Sequence, residues 1–278
     1  YLSTVASHGS IAIENAMAYE AVQTLEEAKR KSVLMGTPEL RSPVGVVRSL
    51  LSTMVNGYAG KLDELQGDMI RRALRRTEFL QTLIDDLLDL AAGKAGLRQS
   101  KEKEPVHLQE VLRGVVERYR VPATEKGIDL DLDIKTDEGC YVHANTEELD
   151  RALTNLVSNA VKYTPEGGEV TITLSEQMNN ARLDIRDSGI GIPEDALPHL
   201  FEEFYRAPNA KAQVKQGTGL GLVITKDIVT RYGGTIRVDS TVGESIVRSN
   251  MRSIAKDTRK TAASRPANGA AAHCLPCR

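Results

Sequence analysis

Tryptophan is absent from this 278-residue chain, and aromatic residues of all kinds make up only 4% of it. A core built around large rings is therefore excluded. The apolar material must be Leu, Val, Ile and Ala, which suits helix seams and alternating strands. Cysteine is scarce too: Cys140 falls at an expected strand edge, and Cys274 and Cys277 lie near the C-terminus. That is no disulfide framework, and a reducing cytoplasm is the expected compartment. No apolar run reaches about 18 residues, so no membrane segment is expected. An excess of one charge is also lacking, since 36 Lys and Arg against 38 Asp and Glu leave a formal −2. This balance makes no electrostatic case for nucleic acid, and no such partner is expected. There is no signal peptide, and the chain opens on Tyr1 rather than Met, so it reads as a piece of something longer, with a sensor or membrane part upstream.

What is present is ordinary globular material, 41% hydrophobic and 27% charged, long enough for about two domains. Between residues 11 and 35, Ala18, Ala21, Leu25, Ala28, Ser32 and Met35 follow the 3–4 spacing of a weak coiled-coil seam. Leu40, Val44, Val47, Leu51 and Met54 predict a helix, and Asn56-Gly57 with Gly60 predict a turn. A second helix carries Leu62, Leu65, Met69, Ala73, Leu80, Leu83, Leu87 and Leu90 on one face. Two antiparallel helices with one stripe each cannot bury both stripes alone. Pairing with a second copy gives a four-helix bundle, so a homodimer is expected. Asp85 and Asp86 are successive positions on this helix and point about 100° apart, which predicts a solvated face rather than a metal pair.

A polar linker from Gly93 to Pro105 leads to a differently patterned half. A helix is predicted over 108–119, a strictly alternating strand over 128–134, a short strand over 141–144 and a helix over 147–162. Strands over 169–175 and 181–187, a helix over 195–204, a loop to 216, a helix over 220–231 and a strand over 235–239 complete it. The expected class is α+β: a helical hairpin followed by an α/β two-layer sandwich. The expected divisions are 1–35, 36–97, a linker over 98–105, 106–243, and a tail over 244–278. From Glu244 on there are seven Lys and Arg against two Asp and Glu, with no apolar period, so the tail is expected to be disordered. Its His273-Cys274-Leu275-Pro276-Cys277 has a redox- or metal-like spacing, but one such pair alone is weak.

Three motifs in the second half bear on chemistry. Asn155 and Asn159, in Asn155-Leu-Val-Ser-Asn159-Ala-Val-Lys162-Tyr163, share a helix face, and their amide oxygens suit Mg²⁺. Asp187-Ser-Gly189-Ile-Gly191 ends a strand, where the carboxylate can accept from an exocyclic amine and the glycines allow close backbone approach to a ligand. Gly217-Thr218-Gly219-Leu220-Gly221 runs straight into a helix, whose first N–H groups favour phosphate. The third motif matches neither the dinucleotide fingerprint nor the P-loop.

Together these motifs resemble the N, G1 and G2 boxes of the ATP-binding domain of bacterial sensor histidine kinases, and Leu200-Phe-Glu-Glu-Phe204-Tyr-Arg206 resembles the family's F box. Thr37-Pro38-Glu39-Leu40-Arg41-Ser42-Pro43 resembles its phosphoacceptor box, normally Ser-His-Glu-Leu-Arg-Thr-Pro. The stretch Ile11–Ala16 resembles the last helix of a GAF sensor domain. The resemblance implies ATP and Mg²⁺ as cofactors, with Asn159 holding the metal beside Asn155. Lys162 and Tyr163 would contact phosphate and nucleoside, Asp187 the adenine amine, residues 205–216 a lid, and Gly217 to Gly221 the phosphates. It also implies phosphotransfer to a response-regulator receiver domain, with Glu39 and Ser42 assisting at the acceptor. The hydrolysing relatives, gyrase and heat-shock-90 type ATPases, carry a Glu four residues before the metal Asn. Here Asn155 stands there, and an amide is no general base.

The departure is Pro38, at the family's nucleophilic histidine. Proline offers no nucleophile, and His8, His107, His143, His199 and His273 lie in no comparable context. Gly36, Thr37 and Pro38 also read as a helix stop, an N-cap and an N1 residue, so the signalling helix is expected to break there. Two readings follow: a protein-histidine kinase core that has lost its own acceptor, or a catalytically silent dimeric ATP-binding scaffold. After Gly243 the chain departs from the family again, and the last strand is expected to be either lost or replaced by Ser245–Arg248.

Overall fold

The computed structural model describes residues 41–94, 103–136, 139–178, 180–241 and 243–253. The helix expected over 11–35, the break at 36–38 and residues Pro38 and Glu39 lie outside the described residues, as does everything from 254 on. Helix α1 occupies residues 41–55, and the turn at Asn56–Ala59 follows where Asn-Gly predicts it. Helix α2 is Glu64–Lys94. It starts with a reciprocal cap: Asp63 accepts from the Gln66 N–H at 2.8 Å, and the Gln66 amide oxygen accepts from the Asp63 N–H at 3.1 Å.

The second half contains β1 (Glu104–His107), α3 (Leu108–Glu125), β2 (Asp129–Lys135), β3 (Tyr141–Ala144) and α4 (Thr146–Tyr163). It continues with β4 (Glu169–Gln177), β5 (Asn180–Asp187), a 3-10 turn η1 (Glu194–His199), α5 (Pro208–Gln213), α6 (Gly221–Arg231), β6 (Thr235–Thr241) and β7 (Glu244–Arg252). The main sheet runs β2-β4-β5-β7-β6, and β1 with β3 forms a separate two-stranded sheet. Only β2 and β4 pair in parallel; the other neighbours are antiparallel. Every second residue of β4 and β5 is buried, including Ile172, Leu174, Leu183 and Ile185. Helices α3 and α4 cover that face with Leu112, Val116, Leu149, Leu153 and Val157, making the expected two-layer sandwich. Among the described residues no helix is long and apolar enough to cross a membrane.

The tail is where expectation and structure part. Rather than disorder from 244, β7 lies inside the sheet between β5 and β6. Of the two outcomes left open for the last strand, replacement holds, and over nine residues rather than Ser245–Arg248. Backbone pairing drives it, because without β7 both β5 and β6 would present unpaired edges. The strand also turns Ser245, Val247, Ser249 and Met251 one way, a half-polar alternation that an apolar-period search misses. The expected linker is shortened from its far end by β1, whose Glu104 pairs with Ala144. The helix expected over 195–204 shrinks to η1, because Pro198 cannot donate a helix hydrogen bond.

Candidate nucleotide site

Helix α4 is aimed by its start. The Asn145 side chain caps it by accepting from the Glu148 N–H at 3.2 Å, and Tyr232 ties that cap to α6 by donating to the Glu148 carboxylate at 2.6 Å. Its apolar stripe faces the sheet, so the flank bearing Asn155, Asn159 and Lys162, at i, i+4 and i+7, lines a cleft of roughly 660 Å³. Tyr163 follows on the rim. The cleft is of a size that small-molecule sites commonly have. Its apolar floor is Leu156, Ala160, Ile185, Ile190 and Val247.

At the end of β5, Asp187 is 6% exposed. One carboxylate oxygen accepts from the Gly189 N–H at 3.0 Å, and the other accepts from the Ser245 hydroxyl. Burial pushes its pKa up from the ordinary carboxylate range, and the two hydrogen bonds pull the other way. Each oxygen retains an acceptor lone pair that a buried amine can use.

Two of the glycines have a packing task within the protein. A Cβ on Gly191, at φ +64°, would stand 2.0 Å from the Thr241 carbonyl, and one on Gly219, at φ +72°, 2.6 Å from the Phe204 carbonyl carbon. These two glycines, with Gly189 close against Tyr163, let protein backbone approach protein backbone. Gly217, Gly221 and Gly189 face side chains of the cleft: Arg206 and Lys162 for the first, Asn155 for the second and Asp187 for the third.

Of the residues singled out from sequence, the cleft brings together Asn155, Asn159, Lys162, Tyr163, Asp187, Gly191, Gly217, Thr218, Gly219 and Gly221. Gly189 and Leu220 are not in its lining. Leu220 is fully buried in a seam with Leu90, Ile224 and Ile228, its backbone N–H held by the Thr218 hydroxyl at 3.3 Å. Asn155 donates to the Gly221 carbonyl at 3.3 Å, fixing the start of α6, so its amide serves the protein as well as the cleft. Lys162 donates to the Gln216 carbonyl at 2.8 Å, and Arg206 to the Ala210 carbonyl at 3.3 Å. Both cations thus hold residues 210–216 in place. Asn159 makes no side-chain hydrogen bond to the described residues, which leaves its amide oxygen for a ligand. Ser42 is exposed on α1 and lies outside the cleft.

Sequence reasoning missed three contributors. Ser245 was assigned to the tail, although its place opposite Asp187 in the β5–β7 register makes it part of the site. Asn209 donates to the Gly191 carbonyl at 2.8 Å, pinning one wall to the other. The third is α2, which supplies Arg75, Glu78, Phe79, Thr82 and Asp86 to the same cleft. The solvated face predicted for Asp85-Asp86 is therefore wrong for Asp86, while Asp85 stays partly exposed. Asp85 accepts from Arg41 of α1 at 2.8 Å, and Asp86, 7% exposed, accepts from Arg151 at 2.8 Å and from Thr218 at 2.7 Å. Their divergence was read correctly, but each direction ends on a protein partner.

Residues 144–253 match the model of the histidine kinase-, DNA gyrase B- and HSP90-like ATPase domain, and residues 39–96 that of the His Kinase A (phospho-acceptor) domain. Sensor protein SrrB of Staphylococcus aureus is 32% identical over 224 residues, a stretch covering 79% of this chain and 37% of that protein. The chain thus spans under two-fifths of the length of that relative. Among solved structures, full-length ShkA in complex with AMPPNP is similar at 26% identity and a TM-score of 0.66, over 81% of this chain and 46% of that one. The histidine kinase AdeS of Acinetobacter baumannii shares the fold at 23% identity and a TM-score of 0.55, over 77% and 96% of the two chains.

Proposed function

The chain belongs to the sensor histidine kinases of two-component systems, and from that premise we propose that its sandwich binds ATP with Mg²⁺ while its own position 38 accepts no phosphate. The observation that carries this is the pairing of a cleft ending in buried Asp187 with a proline at the acceptor position. In this reading the Asp187 carboxylate accepts from the adenine amine, with Ser245 and Gly189 holding it in place. The apolar floor takes the ring. Lys162 and the N–H groups at the start of α6 meet the phosphates. Among the described residues no group of three or more His, Cys, Asp and Glu could hold a metal, so Mg²⁺ would arrive on the nucleotide phosphates with the Asn159 amide oxygen as its protein ligand. Bound there, it would neutralise charge on the transferring phosphoryl group.

Helices α1 and α2 leave Val47, Leu50, Leu65, Met69 and Leu80 exposed, a surface suited to a second copy in a four-helix bundle. A receiver domain is the partner such a bundle serves in this family. Asn155 at the hydrolytic position favours transfer to a protein over attack by water. The chain is thus a kinase core whose nucleotide half is intact and whose acceptor half is silent.

Incubation with γ-labelled Mg-ATP beside a Pro38→His variant tests this. The expected result is nucleotide binding by both chains and acid-labile label on the variant alone. Label on the unmodified chain refutes the silent acceptor, and failure of both to bind nucleotide refutes the assignment of the cleft.

A further inference from the structure

Helix α4 ends at the cleft, and two of its last carbonyls are satisfied from another helix. The final four carbonyls of an α-helix have no partner in continuing helix. Here the Ala160 carbonyl accepts from the Thr164 N–H at 3.1 Å and from the Thr164 hydroxyl at 2.7 Å, and the Tyr163 carbonyl accepts from the Ile190 N–H at 3.2 Å. The two between them, Val161 and Lys162, accept from one ammonium, Lys126 Nζ, at 2.9 and 2.8 Å. Lys126 is the C-terminal cap of α3. Its backbone is well fixed: Gly127 turns the chain at φ +67°, the Ile128 N–H donates to the Ala123 carbonyl at 2.8 Å, and the Gly127 carbonyl accepts from the Gly167 N–H at 3.1 Å.

A helix with a lysine in its last turn can cap itself, because that ammonium reaches the final carbonyls and balances the helix dipole. Lys162 is the basic residue in the last turn of α4. Its ammonium goes into the cleft instead, donating to the Gln216 carbonyl at 2.8 Å, 5.2 Å from the centre of the Tyr163 ring and beside Gly217. Lys126 provides the charge that the helix end then lacks. Among the described residues it forms no ion pair, and burial holds its pKa below the ordinary lysine value. An ammonium taken from water without a carboxylate is stabilised there by the two carbonyls alone. We propose that Lys126 is a positioning residue for the phosphate-binding cation: by capping α4 from α3, it leaves the Lys162 ammonium for the nucleotide and fixes the turn that carries it. This role rests on the nucleotide reading of the cleft and says what holds Lys162 at the phosphate end. Without Lys126, the Lys162 ammonium folds back onto its own helix end and away from Gly217.

A double-mutant cycle on the whole chain, read by calorimetric titration with Mg-AMPPNP, tests this. Lys126→Met keeps the apolar stem without the charge and should weaken binding about tenfold, the size of a lost hydrogen bond from a charged donor. Lys126→Arg, which can still donate to both carbonyls, should recover most of that loss. Lys162→Met should also weaken binding, and adding Lys126→Met to it should cost nothing further, because the cation being positioned is gone. Equal losses from Lys126→Met in the two backgrounds would show a cap that serves the fold alone and would overturn the positioning role, as would unchanged binding by Lys126→Met. If thermal unfolding shows that Lys126→Met does not fold, Lys126→Gln, whose amide still donates to a carbonyl, takes its place in the cycle with the same outcomes. Absence of AMPPNP binding from the unmodified chain overturns the nucleotide reading and the positioning role together. Binding by the unmodified chain with additive losses leaves the nucleotide reading standing and removes only the role of Lys126.

Discussion

In the sandwich, Leu153, Ile172, Leu183 and Ile185 are each no more than 2% exposed, whereas in the hairpin Leu50, Leu65 and Met69 stand 61, 71 and 62% exposed. The two regions have similar apolar material and differ in geometry. A sheet with helices on one face closes around its own side chains. Two helices side by side cover only part of each other, and the remainder awaits another surface. The difference teaches where each function resides: the sandwich supplies most of the cleft from its own residues, while the hairpin adds one wall from α2 and keeps an apolar face uncovered.

That contrast predicts that the two regions fail separately. The largest effect is expected from Leu50→Asp with Leu80→Asp, which places four charges in the proposed two-fold interface and removes burial worth on the order of 6–12 kcal/mol. Light scattering should report a monomer while the sandwich keeps its thermal transition. A dimer that survives would break the comparison. In the opposite direction, Leu153→Ala should cost the sandwich about 2–5 kcal/mol in denaturant unfolding and leave the dimer in place.

Asp187→Asn sharpens the contrast within the sandwich. Loss of the charged acceptor should weaken nucleotide binding by about 1.5–3 kcal/mol, read by calorimetry. Stability should move the other way. Burial raises the folded pKa of Asp187, so its contribution is fully present below the ordinary carboxylate range and is lost as pH rises through the folded value. The variant should therefore outlast the unmodified chain near pH 7, and the gap should close on acidification. A gap that widened toward low pH would contradict the assigned cause. The smallest effect concerns β7, where the buried hydroxyl of Ser249 has no hydrogen-bond partner among the described residues. Ser249→Ala should raise sandwich stability by about 1 kcal/mol in the same denaturant series.

Much of this was legible from local pattern. The turn at Asn56-Gly57, the stripe of α4, the strands β4 and β5 and the spacing of Asn155, Asn159 and Lys162 all follow from periods of 3.6 and 2, which a chain displays without reference to its neighbours. Ser245 was not legible, because a serine in a polar, basic stretch becomes a site residue only when its strand is threaded beside β5. Asp86 was misread for the same reason: helix geometry told where it pointed, and only docking of the sandwich told what stood there.

By itself, the sequence determined the helices α2, α3, α4 and α6, the strands β2 to β6, the cleft-facing flank of α4, the identity of the family and the missing nucleophile at Pro38, since each is a property of residue type at a given spacing. The tertiary structure alone decided that β7 completes the sheet, that Gly191 and Gly219 pack against neighbouring backbone, and that α2 walls the cleft through Asp86. Those depend on contacts between residues as much as 132 positions apart, as Asp86 and Thr218 are. Such contacts are chosen by which surfaces remain unburied and which edges remain unpaired after the local elements have formed.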